Sequence, residues 1–105
     1  MSDKSQEKRI EELQILEQNL QNILLQKQAF QIELRETQAA LKELEKSGDE
    51  VFKIIGQLMI KTDKKNMKEE LTNKEKIIDM RIKSFEKQEH ILSEKLEELQ
   101  REVLK

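Results

Sequence analysis

The sequence predicts a mainly α fold in which two long helices form an antiparallel two-helix coiled coil and are joined by a single β-hairpin. Three observations lead to this prediction. The composition is typical of long helices, since 40% of the 105 residues are charged and 3% are aromatic. Apolar residues recur every three or four positions in both halves of the chain. Proline is absent, and the two glycines, Gly48 and Gly56, lie near the middle.

The composition also limits the possible classes of function. Cysteine is absent and there is a single histidine, which excludes thiol catalysis and cysteine-based zinc sites. A net charge of −2 gives no general attraction for nucleic acid. No apolar run approaches the ~20 residues that cross a bilayer, and no glycine-rich phosphate loop is present. We therefore expect a cytoplasmic protein that is not an enzyme and has no catalytic residue, metal site, cofactor, membrane contact or nucleic-acid partner.

The first helix is predicted over residues 4–46. Its apolar stripe advances by alternating steps of three and four residues, and this mean step of about 3.5 defines a coiled-coil seam. Lys27 and Thr37 are the polar exceptions in the stripe. Residues 47–49 follow as a stop signal, because Gly48 tolerates the left-handed conformation that often ends helices. The seam positions are Leu13, Leu16, Leu20, Ile23, Lys27, Phe30, Leu34, Thr37, Leu41 and Leu44.

A β-hairpin is predicted over residues 50–62. Two apolar runs, 51–55 and 58–62, flank the pair Gly56-Gln57. Glycine at the first central position suits a two-residue type II′ turn. Pairing through this turn leaves both faces of the hairpin largely apolar. The predicted cross-strand pairs are Ile55 with Leu58, Ile54 with Met59, Lys53 with Ile60, and Phe52 with Lys61.

This hairpin is expected to act as an assembly module. An isolated two-stranded hairpin is marginal in water, and one with apolar faces and open edges aggregates. The helices are not expected to cover it, because their seams face each other, so burial against equivalent hairpins of other subunits is expected. The alternative is a helix-to-helix connection folded against its own helices, since tertiary context can override strand propensity. The predicted assembly residues are Val51, Phe52, Ile54, Ile55, Gly56, Leu58, Met59 and Ile60.

The second helix is predicted over residues 63–104, after Thr62 and Asp63, whose side chains can cap exposed amide groups. Its seam has the same spacing as that of the first helix. Glu75 and Glu89 are its polar exceptions. The seam positions are Leu71, Glu75, Ile78, Ile82, Phe85, Glu89, Leu92, Leu96, Leu99 and Val103.

The two stripes have nearly equal length and a short connection, so a chain that folds back lets each helix bury the stripe of the other. The expected alignment brings Leu44 near Leu71. It also places Lys27 and Glu89 at about the same depth. Contact between these two side chains would fix the alignment more than it would add stability, because desolvation offsets much of the attraction. In the alternative, both side chains extend their charges to water.

A local pattern in the hairpin resembles a known family. An aromatic residue, a lysine, two apolar residues and a glycine follow one another in Phe52–Gly56, and the apolar run Leu58–Lys61 ends in lysine. These residues, with the segments 25–47 and 50–71, resemble the β-class subunits of the prefoldin family. The resemblance covers nearly the whole chain as a single domain, 1–105, in the order helix, single hairpin, helix. The α class inserts a second hairpin, for which this connection has no room.

The resemblance implies assembly and function. Prefoldins are hexamers of two α-type and four β-type subunits, whose hairpins form a β-barrel platform from which six coiled coils project. The tips of the coiled coils hold unfolded polypeptides without ATP and deliver them to group II chaperonins. We therefore expect an ATP-independent holdase subunit whose partners are a prefoldin α-type subunit, other β subunits, unfolded polypeptides and a group II chaperonin. The alternative is a structural coiled-coil tether or scaffold without chaperone activity.

Client contact is expected at the free end of the coiled coil, where the first helix begins and the second ends. Apolar residues there lie beside the seam, and seam residues become accessible if the helix ends fray. The alternative is that these side chains are ordinary exposed apolar residues, which are normal on protein surfaces. The candidate residues are Ile10, Leu13, Ile15, Leu16, Leu24, Leu25, Ile91, Leu96, Leu99, Val103 and Leu104.

Overall fold

The computed structural model describes residues 3–104 and contains two long helices with two strands between them. The predicted fold class is confirmed, since the chain has two long helices joined by a single hairpin. Each element boundary differs from the predicted one by at most one residue. In chain order the elements are α1 (Asp3–Glu45), β1 (Glu50–Ile55), β2 (Leu58–Asp63) and α2 (Lys64–Val103).

The chain divides into two compact units, and each helix contributes to both. The terminal unit contains the residues up to Ala29 and those from Arg81 onward. The hairpin unit contains residues Phe30–Met80. Each unit therefore combines one stretch of α1 with one stretch of α2, and each has its own small core.

The core of the hairpin unit lies between its two helical stretches. Leu44 and Ile78 are buried, and so is the polar Thr37, which is 3% exposed. The Thr37 hydroxyl donates a hydrogen bond of 2.8 Å to the carbonyl of Glu33, one turn earlier in α1. This bond satisfies the hydroxyl within its own helix, so a polar residue is tolerated in the seam.

Ion pairs show that the two helical stretches of the hairpin unit run antiparallel. Lys74 of α2 contacts Glu33 of α1 at 3.4 Å, and Lys68 contacts Glu45 at 2.9 Å. Glu45 follows Glu33 in α1, whereas its partner Lys68 precedes Lys74 in α2. The two helical stretches therefore run in opposite directions.

The terminal unit is also antiparallel. Its buried apolar residues include Ile82 and Leu99. Lys27 contacts Glu89 at 2.7 Å. Nearer the chain ends, the amide nitrogen Nε2 of Gln6 donates a hydrogen bond of 3.1 Å to the carbonyl of Val103.

The predicted seam is confirmed by the pattern of burial. All ten seam positions of α1 and all ten of α2 are buried or half-buried. Apolar residues outside the seam, such as Ile15 and Met80, are exposed. The 3.5-residue period therefore identified the buried face of both helices correctly.

The hairpin has the predicted register. Gly56 has a φ of 59°, and among residues 3–104 no residue other than glycine has a positive φ. A positive φ at the first central position alone, and not at Gln57, distinguishes a type II′ turn from a type I′ turn. The cross-strand pairs are Ile55 with Leu58, Ile54 with Met59, Lys53 with Ile60, Phe52 with Lys61, Val51 with Thr62, and Glu50 with Asp63.

Helix α1 ends within one residue of the predicted position, but different hydrogen bonds end it. Gly48 does not have a positive φ, so no left-handed glycine ends the helix. Instead the last turn tightens: the backbone N–H of Lys46 donates to the carbonyl of Glu43 at 3.1 Å, and that of Ser47 donates to Leu44 at 3.1 Å. The Ser47 hydroxyl donates a second bond to the Leu44 carbonyl at 2.7 Å. These bonds satisfy carbonyl groups that a helix end leaves open.

The start of α2 is capped by Asp63. Its carboxylate accepts the backbone N–H of Asn66 at 2.7 Å and the side-chain amide of Asn66 at 2.8 Å, an arrangement typical of helix N-termini. The ammonium group of Lys64 donates to the carbonyls of Glu45 at 3.1 Å and Ser47 at 3.3 Å. A positive charge is favourable at that place, because the carboxyl end of a helix carries partial negative charge.

Candidate functional site

The hairpin exposes apolar side chains on both faces. Ile54 and Met59, on one face, are 72% and 68% exposed. Ile55 and Leu58, on the other, are also more than half exposed. Neither described helix packs over these side chains, so water contacts them in the single chain. Of the other predicted assembly residues, Phe52, Gly56 and Ile60 are exposed and Val51 is half-buried.

The base of the hairpin leans against its own helix, which corrects the expectation that the helices leave the hairpin uncovered. Val51, Lys53 and Thr62 lie on one face of the sheet and are half-buried. The ammonium group of Lys53 donates to the carboxylate of Glu70 in α2 at 2.8 Å. The helix seam did not indicate this contact, because Glu70 lies outside the seam. The face that carries Val51 and Thr62 is therefore partly covered at the base, whereas Phe52 on the opposite face and the side chains near the turn are exposed.

An apolar groove of about 470 Å³ lies between β1 and the helices of the hairpin unit. Leu44 and Leu71 both line it, as the predicted alignment requires, and Val51 and Met67 line it with them. A second groove of about 420 Å³ has a mixed lining of apolar and charged residues, namely Lys53, Ile54, Ile55, Met67, Glu70, Leu71 and Lys74. The apolar part of the first groove suits contact with the apolar side chains of another chain.

The off-seam candidates for client contact are exposed in the terminal unit, with one exception. Leu104 is 86% exposed and Ile15 is 60% exposed. Leu24 is half-buried and therefore offers less surface than predicted. The exposed side chains do not form one patch: Ile15 and Leu25 are ten residues apart on α1, about 15 Å along the axis. The exposed off-seam candidates are Ile10, Ile15, Leu25, Ile91 and Leu104.

The seam candidates for client contact are covered. Leu99 is buried, and the others are half-buried. The hydrogen bond from Gln6 to the Val103 carbonyl holds the helices together close to these positions. Clients would reach the seam side chains only when the two helices separate locally. The half-buried seam candidates are Leu13, Leu16, Leu96 and Val103.

The contact between Lys27 and Glu89 settles the two alternatives left open for this pair. The side chain of Lys27 is 17% exposed and that of Glu89 is 30% exposed, so the charges meet inside the seam rather than extending into water. The hydrogen bond to Glu89 raises the pKa of Lys27, together with the charges of Glu89 and Glu86, although partial burial opposes this effect.

A second charged contact joins the helices at the end of α1. The hydrogen bond from Lys68 lowers the pKa of Glu45, with the charges of Lys68 and Lys64 adding to the effect and desolvation opposing it. A carboxylate on the last residue of a helix is unfavourable for the helix dipole. The positive charges of Lys64 and Lys68 in α2 offset this unfavourable interaction.

Among residues 3–104 no three His, Asp or Glu side chains come together as a metal-binding group. His90 contacts Glu94 at 2.9 Å on the exposed surface of α2. Neither described helix has a stretch with the length and hydropathy needed to span a membrane.

Antiparallel helices joined by a single exposed apolar hairpin define a class of protein, namely coiled-coil subunits with the order helix, hairpin, helix. The comparison with known families agrees. A family model described as "Prefoldin subunit" matches residues 7–105. The chain belongs to the prefoldin family, as a subunit of the β class.

Individual relatives are similar over most of their length. The prefoldin subunit beta of Thermococcus onnurineus is 40% identical over 94 residues, which cover 88% of this chain and 81% of that protein. The prefoldin subunit beta of Sulfurisphaera tokodaii is 39% identical over 93 residues, 87% of this chain and 74% of that protein. The crystal structure of the prefoldin beta subunit from Thermococcus strain KS-1 matches with a TM-score of 0.87 and 36% identity, covering 94% of this chain and 89% of that one.

The predicted family resemblance is therefore confirmed. The chain is a chaperone subunit with a helical coiled-coil architecture, and membership of this family implies assembly with other prefoldin subunits. Prefoldin is a family of chaperones rather than of enzymes.

Proposed function

We propose that this chain is a subunit of an ATP-independent holdase in the cytoplasm. In this proposal the ends of the two helices bind unfolded polypeptides, and the complex delivers them to a group II chaperonin. The observation that carries the proposal is the occurrence of exposed apolar side chains on the terminal unit of a prefoldin subunit. An unfolded chain exposes apolar groups that these side chains can contact without any chemical step.

The hairpin is proposed as the surface of assembly into a hexamer of two α-type and four β-type subunits. Its large apolar side chains are exposed in the single chain, and burying one such side chain fully contributes roughly 1.5–3 kcal/mol. Hairpins of neighbouring subunits have the matching chemistry and would also satisfy the open strand edges. The proposed assembly surface contains Val51, Phe52, Ile54, Ile55, Gly56, Leu58, Met59 and Ile60.

The terminal unit is proposed as the surface for clients. Its exposed apolar residues are scattered, which favours weak contacts at several points of one client. Several such weak contacts from different subunits bind one client strongly through avidity. Separation of the helix ends would add Leu13, Leu16, Leu96, Leu99 and Val103 to the exposed residues Ile10, Ile15, Leu25, Ile91 and Leu104, with the half-buried Leu24 beside them.

The test is suppression of aggregation of a denatured protein by the complete hetero-oligomer in the absence of nucleotide. We expect the triple variant Ile15→Ser, Leu25→Ser and Ile91→Ser to lose most of this suppression, because three exposed contacts of the terminal unit are removed. Native mass spectrometry must show that the variant still assembles.

A matched control is available in the hairpin unit. Ile32, Ile77 and Met80 are also apolar and more than half exposed, but lie outside the terminal unit. Their replacement by serine removes comparable apolar surface and should leave the suppression unchanged. Equal loss in both triple variants, or loss in neither, would place client binding elsewhere.

A further inference from the structure

The ion pair between Lys27 and Glu89 occupies an unusual position. Lys27 Nζ lies 2.7 Å from Glu89 Oε2, and both side chains are largely withdrawn from water. In the terminal unit these two residues are the polar members of an otherwise apolar seam. The other interhelical pairs, such as Lys74 with Glu33, involve side chains that are about half exposed.

Stability alone does not explain such a pair. Withdrawing two charges from water costs free energy that their attraction only partly returns, and well-packed apolar residues are often at least as stabilising. Leucine at both positions would continue the seam without any charge. An ion pair adds the requirement that one particular residue of α1 faces one particular residue of α2.

An apolar seam by itself does not impose this requirement, because it repeats every seven residues. Sliding α2 by one heptad in one direction would place Lys27 against Ile82 and Glu89 against Leu20. Sliding it in the other direction would place Lys27 against Leu96. Each slip leaves a charged group among apolar side chains without its partner, which is costly. With leucine at both positions, the slipped seams would be apolar throughout.

We propose that Lys27 and Glu89 determine the alignment of α1 and α2 in the terminal unit by penalising heptad-shifted pairings. The pair selects one register among alternatives that the apolar residues alone would tolerate. Polar residues in coiled-coil seams act in this way at a cost in stability. The proposal concerns helix alignment and holds whether or not the terminal unit binds clients.

The test measures the alignment directly in the full-length chain. Because the sequence lacks cysteine, labels can be attached at two introduced cysteines. Gln18 and Glu98 are both exposed; Gln18 precedes Lys27 by nine residues, and Glu98 follows Glu89 by nine. In the observed alignment, spin labels at Gln18→Cys and Glu98→Cys therefore lie at the same position along the helix axis. Pulsed electron paramagnetic resonance should give one narrow distance distribution.

We expect the variant Lys27→Leu/Glu89→Leu to show a second population. A slip of one heptad displaces the labels by about 10 Å along the helix axis, at 1.5 Å per residue. Lys27→Ala/Glu89→Ala removes both polar groups without adding large apolar side chains and should show the same second population, which covers the case in which the leucine variant aggregates. The reversed pair Lys27→Glu/Glu89→Lys keeps the attraction and should retain one distance.

The matched control is the exposed pair of the hairpin unit, changed to Glu33→Gln/Lys74→Gln, which should leave the distance unchanged. A single unaltered distance in both the leucine and the alanine variants would overturn the proposal, because the connection through the hairpin would then fix the alignment alone. Equal broadening in the reversed pair would also overturn it, since charge complementarity would not be the determinant.

Discussion

At the scale of single residues, the turn of the hairpin depends on Gly56. Its φ of 59° is one that other residues adopt at a cost of roughly 1–2 kcal/mol. An added Cβ would meet no atom within 4 Å at Gly56 or at Gly48. The two glycines therefore differ in backbone conformation and not in available space.

This difference gives a paired prediction. Gly56→Ala should lower the free energy of unfolding of the full-length chain by about 1–2 kcal/mol, because alanine is strained at this φ. Gly48→Ala should be neutral or stabilising by up to about 1 kcal/mol, because it restricts the unfolded chain without strain in the folded one. Urea denaturation followed by circular dichroism compares the two variants, and equal effects would contradict the assignment of the strain to Gly56.

The pKa of Glu45 predicts a pH dependence at the same scale. Because the folded-state pKa is lowered by Lys68, the contribution of this contact to stability is present above the pKa of an unfolded glutamate, near 4.3. It is lost as the pH falls through the lower, folded-state pKa. The stability difference between the parent chain and Glu45→Gln should therefore be larger at pH 7 than at pH 3.

Urea unfolding of both chains at the two pH values measures this effect. The variant Lys68→Gln provides the control, because removing the hydrogen-bond donor should weaken the pH dependence associated with Glu45. An unchanged difference between the parent chain and Glu45→Gln across the pH range would show that the contact contributes nothing in solution.

At the scale of elements, the sequence predicted those structural features that arise from neighbouring residues in the chain. The steps of three and four residues identified the buried face of each helix, and the glycine at position 56 identified both the turn and the strand register. Lys27 and Glu89 could be placed at the same depth in advance because both interrupt a stripe, whereas the sequence left open whether their side chains meet or extend into water. These features depend on chain periodicity or on a single residue.

Other features could not be predicted, because they depend on how elements pack. The contact of Lys53 with Glu70 requires the angle between hairpin and helix, which no local pattern encodes. The end of α1 uses hydrogen bonds of Ser47 where a left-handed glycine was expected, since either arrangement satisfies the same carbonyl groups. Leu24 is half-buried although it lies beside the seam, because packing covers more than the seam positions alone.

The hairpin as an element gives a prediction about assembly. Met59→Ser should leave the helix content of the chain unchanged, because this side chain is mostly exposed in the single chain. If assembly buries Met59, its loss removes roughly 1.5–3 kcal/mol, which weakens association about 10- to 150-fold. Native mass spectrometry with an α-type partner, over a dilution series, measures the change. Ile77→Ser, which removes an exposed apolar side chain of α2, is the control and should assemble as the parent does.

At the scale of the whole molecule, α1 and α2 are not one continuous helix. A tether with uninterrupted helices would require α1 to run directly into α2, whereas two paired strands separate them. Within each unit, α1 and α2 contact each other in opposite directions. This arrangement favours the chaperone proposal over the structural alternative, because it concentrates exposed apolar strands in one segment and both chain ends in one unit.

The proposed assembly through the hairpin would make the stability of the whole chain depend on its concentration. If apolar strands are buried between native subunits and unfolded chains do not associate, mass action favours folding. A hundredfold rise in subunit concentration then adds up to about 2.7 kcal/mol. For a domain of about 100 residues this corresponds to a rise in Tm on the order of 10 °C. Thermal unfolding of the mixture with an α-type partner, followed by circular dichroism across that range, should show the rise, and Met59→Ser should reduce it. A Tm that stays constant for the parent chain would mean that the exposed hairpin is not what holds the subunits together.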